Sequence, residues 1–227
     1  MDKKGYEYIL FDLDGTIVDS GEGITNAVMY ALKAFGMSVA DRSELYCFIG
    51  PPLMDSFQRF FGFSREEAWR AVTEYRVYYR EKGLYENTVY PGTEDMLGRL
   101  NAAGKRVILA TAKPEEFAKT VIEHEGLGKY FAFIGGAEME TASGRARQRK
   151  DEVIAYVMES CGITDPKRAL MVGDRAGDVE GAAANGMDCV GVLYGYGSRE
   201  ELEGAGAHRL AQSPEEVFRI ACGLEPE

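Results

Sequence analysis

The chain has 227 residues, of which 45% are hydrophobic, and this composition predicts a folded globular protein and argues against disorder. Its 37 acidic and 26 basic residues give a net charge of −11, so neither a nucleic-acid polymer nor a membrane surface is an expected partner, whereas a small phosphorylated metabolite stays open. No apolar run approaches the roughly 20 residues that span a bilayer. The apolar run Tyr8–Phe11 is too short for a signal peptide, and we therefore expect a cytoplasmic protein.

Five short apolar runs, each bounded by turn residues, have the length and composition of buried parallel strands. Helical patterns separate the last four of them, and alternating strands and helices predict an α/β fold with a doubly wound parallel sheet. The predicted strands are Tyr8–Phe11, Val107–Ala110, Phe131–Ile134, Ala169–Val172 and Cys189–Val192.

The interval after the first strand breaks this alternation. From about Ser20 to Leu84 the apolar residues recur at helical spacing in three successive stripes, and about 65 residues of helix are too many for a simple crossover. We therefore expect an inserted all-helical cap at residues 19–85, with the α/β core formed by residues 1–18 and 86–227. The stripes are Ile24, Val28, Ala31, Leu32 and Phe35; Leu53, Phe57, Phe60 and Phe61; and Ala68, Val72, Tyr75 and Tyr79.

The cysteines and histidines carry no recognisable site. The four cysteines are widely spaced with no CxxC pair, which predicts buried thiols in a reducing compartment instead of a disulfide frame or a zinc site. The catalytic-serine motif GxSxG is absent, and we expect ordinary helix or surface roles for both histidines. These residues are Cys47, Cys161, Cys189, Cys222, His124 and His208.

Two carboxylates stand at the end of the first strand. Asp12 and Asp14 are two residues apart, so they point to the same side of the strand, at the edge where open α/β sheets bind ligands. Gly15 then permits a tight turn. Like charges this close are unfavourable unless they share a cation or a proton, although an Asp-Gly turn is also common for purely local reasons.

Polar residues also follow the later strands. Thr111, Ala112 and Lys113 lead into a helix, where a hydroxyl and free backbone amides can bind phosphate oxygens. Asp174 and Asp178 bring two more carboxylates to a strand end, although an aspartate there can also serve as a helix cap. A further basic residue, Lys150, opens the helix that starts near residue 151.

In this order, these residues resemble the four motifs of the haloacid dehalogenase-like hydrolase superfamily, in its phosphatase branch. The resemblance covers the whole chain, and the position of the helical insertion is similar to that of the superfamily's first cap type. Three further segments look like phosphoglycolate phosphatases and 5′-nucleotidases. They are Gly50-Pro51-Pro52-Leu53, Tyr90-Pro91-Gly92 and Leu193–Ser198.

The resemblance implies a chemical role for each carboxylate. Asp12 would be the nucleophile that forms an acyl phosphate, and Asp14 would be the general acid for the leaving oxygen and then the base for water. Relatives that displace halide lack the acid at Asp14. Magnesium would be held by Asp12, by the backbone carbonyl of Asp14 and by Asp174, while Asp178 would orient Lys150 or a metal-bound water.

The resemblance also implies the substrate contacts. Thr111, the amide of Ala112 and Lys150 would bind the transferring oxygens. We further expect Gly15, Lys113 and the Gly50 turn to face the substrate, and surface exposure for the cap arginines Arg59, Arg76 and Arg80.

The implied activity is Mg²⁺-dependent hydrolysis of a small phosphomonoester, with phosphoglycolate and nucleoside 5′-monophosphates as the leading candidates. A sugar phosphomutase and a non-catalytic metabolite-binding protein are the alternatives on this scaffold. A phospho-accepting signalling module is disfavoured by the helical insertion and by Asp14.

Overall fold

The computed structural model describes residues 5–139, 141 and 147–224. The strands of this part of the chain are β1 (Tyr8–Phe11), β2 (Val18–Asp19), β3 (Thr88–Val89), β4 (Arg106–Pro114), β5 (Phe133–Ala137), β6 (Ala169–Gly173), β7 (Asp188–Val192) and β8 (Arg209–Ala211). The α-helices are α1 (Gly21–Lys33), α2 (Leu53–Phe61), α3 (Arg65–Glu81), α4 (Thr93–Ala102), α5 (Glu115–His124), α6 (Lys150–Cys161), α7 (Ala176–Ala184), α8 (Arg199–Gly204) and α9 (Pro214–Ala221).

Six of these strands form one parallel sheet in the order β5-β4-β1-β6-β7-β8. The order grows outward from β1 in both directions, which is the doubly wound arrangement that the alternation predicts. Because β1 lies between β4 and β6, the carboxyl ends of these three strands meet at the centre of one sheet edge. The predicted α/β fold class is confirmed.

The helical insertion follows the predicted stripes. Helices α1, α2 and α3 pack together. The members of the first and third stripes are buried, except Phe35, which follows the end of α1 and is partly exposed. In the middle stripe Phe57 is fully buried, but Phe60 is 43% exposed and stacks under Arg59. The chain leaves the main sheet through β2 and returns through β3, and these two short strands pair in an antiparallel manner.

Two of the predicted strands have bounds that differ from the structure by more than one residue. The run Phe131–Ile134 forms a strand only from Phe133, and this strand continues through Gly135 and Gly136. The two glycines look like a turn in the sequence, but a Cβ on Gly136 would lie 2.6 Å from the Cα of Glu115. Gly135 permits close approach of Val157 in α6 and Gly136 that of Glu115 in α5, which is a known use of glycine within a strand.

The strand predicted at Val107–Ala110 also runs further, to Pro114, with an irregular register between Thr111 and Pro114. This irregularity lies at the predicted phosphate-binding segment. The edge strand β8 and the short pair β2 and β3 were absent from the prediction, because runs of two or three residues carry no periodicity.

The prediction of four buried cysteines is wrong for three of them. Cys189 is buried in β7, whereas Cys47, Cys161 and Cys222 are partly exposed, and all four thiols are free. Each of those three lies at or near the end of a helix, where one side of the residue faces solvent. His124 ends α5 and is exposed, as expected for a surface residue.

Among the described residues, none of the helices combines the length and apolarity that crossing a membrane requires.

Candidate active site

The two motif aspartates lie at the end of β1 and are both buried, with 3% of Asp12 and 7% of Asp14 exposed. Asp174 and Asp178 follow the adjacent strand β6 and are also buried. Oxygens of Asp12, Asp174 and Asp178 lie within 4.8 Å of one another. The sheet topology therefore brings together carboxylates that are more than 150 residues apart in the sequence.

Lys150 inserts an ammonium group among these carboxylates from the start of α6. Its Nζ lies 2.8 Å from Asp12 Oδ1 and 2.7 Å from Asp178 Oδ1, and it donates to the carbonyl of Ala110 at 3.1 Å. Burial by itself would lower the pKa of Lys150, but the charges of Asp12 and Asp178 outweigh it and raise that pKa above its usual range. The lysine therefore stays protonated between the two acids.

Asp174 is held by neighbours from two other loops. It accepts hydrogen bonds from the hydroxyl of Thr16 at 3.3 Å and from the backbone N–H of Tyr196 at 2.8 Å. Burial, followed by the charges of Asp178 and Asp12, raises the pKa of Asp174 well above its ordinary value. The hydrogen bond from Tyr196 and the charge of Arg175 oppose this shift without cancelling it.

Burial likewise raises the pKa of Asp178, to about 6, although Lys150 opposes this shift. Lys150 contacts two of the three buried carboxylates, and a divalent cation bound to the oxygens of all three would relieve the remaining repulsion. Hard oxygen donors of this kind suit Mg²⁺. The residues present therefore fit the metal that the sequence resemblance implies, and Asp12, Asp174 and Asp178 could hold it.

The carboxylate of Asp14 lies outside this three-acid cluster. Both of its oxygens accept hydrogen bonds from Lys113 Nζ, at 2.6 and 2.7 Å, and both side chains are buried. The sequence suggests that paired carboxylates share one cation, but here Asp12 and Asp14 each have a separate lysine. Lys113, expected to face the substrate, is paired with the expected general acid.

The other residues expected to contact phosphate surround this centre. Thr111 is buried in β4, where the irregular register begins, and its hydroxyl accepts a hydrogen bond from the backbone N–H of Lys113 at 3.2 Å. Ala112 lines the two cavities that flank the aspartates, and so does the turn at Gly50. The structure therefore brings the predicted site residues together in one region.

Gly15 makes the turn between Asp14 and Thr16 with φ of +79°, and a Cβ there would overlap the carboxylate of Asp174. Gly36 is the matched control, because its φ is +69° and a Cβ would meet nothing within 4 Å. We expect Gly36→Ala to cost about 1–2 kcal/mol of unfolding free energy from backbone strain. Gly15→Ala should cost about 1–3 kcal/mol more through overpacking. Urea unfolding of both variants measures the difference, and equal losses would contradict this packing.

Two contacts in this region were missing from the sequence prediction. Arg175 donates from Nη1 to the carbonyl of Ile49 at 2.7 Å and from Nε to Glu201 at 2.9 Å. Arg175 thereby connects the Asp174 loop to the helical insertion. Arg175 stands between Asp174 and Asp178 in the sequence, but its partner Ile49 lies 126 residues away, so the sequence does not indicate this contact.

The cap arginines differ in their surroundings. Arg59 and Arg80 are exposed as expected, and Arg80 pairs with Glu116 at 3.3 Å. Arg76 is only partly exposed and lines the cavity beside Asp14, so the expectation of a surface position is wrong for this residue.

Comparison with known proteins places this site in a family. The family model described as haloacid dehalogenase-like hydrolase matches residues 9–192. The chain is 42% identical to a 5′-nucleotidase of Pseudomonas aeruginosa over 87% of each protein. It is 34% identical to tyrosine-protein kinase PtkA of Mycobacterium tuberculosis over 87% of the chain and 65% of that protein.

Phosphoglycolate phosphatase 1 of Pseudomonas aeruginosa is 33% identical over 83% of this chain and 70% of that protein. Among solved structures, that of a predicted phosphatase from Clostridium acetobutylicum matches with a TM-score of 0.92 at 42% identity, covering 97% of this chain and all of the other. Together with the buried acid cluster, these matches show that the chain belongs to the haloacid dehalogenase-like hydrolases and is a phosphoric monoester hydrolase of that family's phosphatase branch.

Proposed function

We propose that the protein hydrolyses small phosphomonoesters in a Mg²⁺-dependent reaction that passes through a phosphoaspartate at Asp12. The observation that carries the proposal is the pairing pattern of the buried acids. Asp12 belongs to the cluster that fits a cation, whereas the Asp14 carboxylate is kept apart from it. This pattern supports separate roles for the two aspartates, with Asp12 attacking phosphorus and Asp14 transferring protons.

In the first half of the reaction Asp12 forms a bond to phosphorus as the bond to the ester oxygen breaks. Asp14 gives its proton to that leaving oxygen. In the second half Asp14 takes a proton from the water that attacks the phosphoaspartate, and Asp12 is released with inorganic phosphate. Each residue therefore ends the cycle in the state in which it began.

The other residues hold the transferring group. Lys150 and Thr111, together with the amide of Ala112, would bind the phosphoryl oxygens, where positioning and charge supply most of the rate. Asp12, Asp174 and the Asp14 carbonyl would hold Mg²⁺, which when bound neutralises phosphate charge and lets a carboxylate approach it. Asp178 would keep Lys150 in place, as its 2.7 Å contact suggests.

We infer that residues 19–85 form a cap whose contacts select the leaving group. The turn at Gly50 and the side chains of Tyr79 and Arg76 line a cavity that also includes Asp14. Phosphoglycolate and nucleoside 5′-monophosphates are the candidate substrates, in keeping with the names of two relatives. A sugar phosphomutase would use the same acids but return the phosphoryl group to its substrate.

Phosphate release from phosphoglycolate, nucleoside 5′-monophosphates and sugar phosphates tests this proposal, with Mg²⁺ and with EDTA. We expect EDTA-sensitive release that is fastest for one of the first two classes. Interconversion of sugar phosphates without net release would favour the phosphomutase. A folded protein that releases phosphate from no member would favour a non-catalytic binding protein.

A stability measurement tests the metal ligands without any substrate. At a Mg²⁺ concentration about 100 times Kd, binding should stabilise the fold by about 2.7 kcal/mol, which raises the melting temperature by roughly 5–10 °C for a chain of this size. Asp174→Asn should lose most of this shift. Glu203→Gln is the control, because Glu203 is 56% exposed and pairs with Arg199 on the surface. An unchanged shift in Asp174→Asn would remove Asp174 from the ligand set.

A further inference from the structure

We propose that Lys113 is a positioning residue for Asp14, and that the helical insertion holds it in that role through Tyr79. This inference rests on the proposed function, because it assigns a task within the same reaction. It differs from the expectation that Lys113 binds the substrate. Its basis is the geometry of three buried side chains.

Asp14 follows a member of the three-acid cluster in the sequence. Asp12, Asp174 and Asp178 have oxygens within 4.8 Å of one another, and Asp14 is only two residues from Asp12. A fourth carboxylate so close in sequence would be an additional ligand for a cation in that cluster. A carboxylate bound to the cation could not also serve as the acid for the leaving oxygen.

Lys113 provides a separate partner that keeps the Asp14 carboxylate out of the cluster. Its Nζ lies 2.6 Å from one Asp14 oxygen and 2.7 Å from the other, and only 4% of the Lys113 side chain is exposed. Charge-assisted hydrogen bonds at this distance are among the strongest that side chains form. Both oxygens of Asp14 are thereby oriented by one group from the end of β4.

Lys113 is itself held by a residue of the helical insertion. Its Nζ lies 5.2 Å from the ring centroid of Tyr79, which belongs to α3 of the helical insertion and is 2% exposed. This distance is within the range of a cation–π contact, which gains strength when the ammonium group is desolvated. The Tyr79 ring also packs against Tyr75 and Phe117. A residue of the insertion thus sets the position of a core lysine.

The consequence for the reaction is specific. During substrate turnover one Asp14 oxygen keeps its hydrogen bond to Lys113, while the other carries the proton that moves to the ester oxygen as the P–O bond breaks. Without Lys113 the carboxyl group loses this orientation. The loss should be large for esters whose leaving group needs that proton and small for esters whose leaving group departs as a stable anion.

The experiment compares kcat/KM for Lys113→Met and the wild type on two kinds of ester. The first is the better substrate among phosphoglycolate and adenosine 5′-monophosphate, and the second is 4-nitrophenyl phosphate, whose leaving group needs no proton. Misplacing a catalytic group by about 1 Å can lower the rate roughly 100-fold. We therefore expect kcat/KM to fall by about that factor on the first substrate, which is an alkyl ester. The expected loss on the nitrophenyl ester is no more than a few-fold.

Two further variants and a control complete the design. Lys113→Arg should restore part of the rate on the alkyl ester. Tyr79→Leu keeps both partners of the ion pair but removes the ring. Its kcat/KM should fall about threefold to tenfold on the alkyl ester and less on the nitrophenyl ester. Lys119→Met removes a lysine of α5 whose side chain is 49% exposed and pairs with Glu115, and this variant should behave as the wild type.

Equal losses on both esters in Lys113→Met and in Tyr79→Leu would overturn the inference and assign Lys113 to substrate binding or to folding alone. A rise in KM without a fall in kcat on the alkyl ester would do the same. If the wild type hydrolyses no ester, the proposed function itself fails, and that result is distinct from a wild type that is active and variants that lose rate equally.

Discussion

Asp12→Asn should lower phosphate release by about 10⁴-fold or more, because removing a covalent nucleophile leaves only the contribution of binding and charge. The variant should remain folded. Asp12 is one of three buried carboxylates that repel one another, so an amide at this position removes a charge that the fold must otherwise compensate.

The matched control for Asp12→Asn is Asp95→Asn. The side chain of Asp95 is 71% exposed and pairs with Arg99 on the surface of α4, so its loss should leave the rate unchanged. Phosphate release measured with both proteins at equal concentration gives the comparison. Wild-type activity in Asp12→Asn would assign the nucleophile to another residue.

Lys150→Met should have the largest effect on stability among the changes considered. It leaves the buried acids Asp12 and Asp178 without their ammonium partner, and removing one member of a buried ion pair costs about 3–5 kcal/mol. Phosphate release should also be lost, since Lys150 is proposed to bind the phosphoryl oxygens. Urea unfolding in EDTA measures the stability change without any contribution from Mg²⁺.

This loss of stability should grow as pH rises. The pKa of Asp178 in the folded protein is about 6, above its ordinary value, with burial as the main cause and Lys150 as the opposing influence. A carboxyl group with a raised pKa favours the folded state at low pH, and this contribution is lost as pH rises through the folded pKa. Without Lys150 the pKa rises further, so the variant should be less impaired at pH 5 than at pH 8.

Lys167→Met provides the control for this pH dependence. The side chain of Lys167 is 67% exposed and pairs with Asp188 at 3.1 Å, and an exposed pair of this kind contributes at most about 1 kcal/mol. Its effect should be small at both pH values. An equally small loss in Lys150→Met at pH 8 would contradict the assignment of Lys150 as the partner of the buried acids.

The strands that carry the site were predictable because they are buried on both faces and therefore read as short apolar runs. Their carboxyl ends carry Asp12, Thr111 and Asp174, and a parallel sheet brings such ends to one edge. The helical insertion was predictable for a similar reason, since its stripes recur at helical spacing over about 65 residues. These are properties of local periodicity and of sheet topology.

The pairing of the charged groups was not predictable. Lys113 and Asp14 are 99 residues apart, and whether this lysine turns toward the aspartate or toward the substrate depends on the direction of its side chain. The predicted strand ended at Ile134, before the two β5 glycines, because their role lies in the close approach of Val157 and Glu115 from other elements. Contacts of this type depend on packing between distant elements, which a periodic pattern does not encode.

The central claim is the phosphoaspartate at Asp12, and chemical trapping in Asp14→Asn tests it most directly. Without the base that activates water, the phosphoenzyme formed from 4-nitrophenyl phosphate should accumulate after one burst of nitrophenolate. Borohydride reduction of the quenched protein should then convert Asp12 to homoserine, which mass spectrometry locates in the peptide. We expect homoserine at position 12 in an amount that matches the burst. A burst of nitrophenolate with unmodified Asp12 would contradict it.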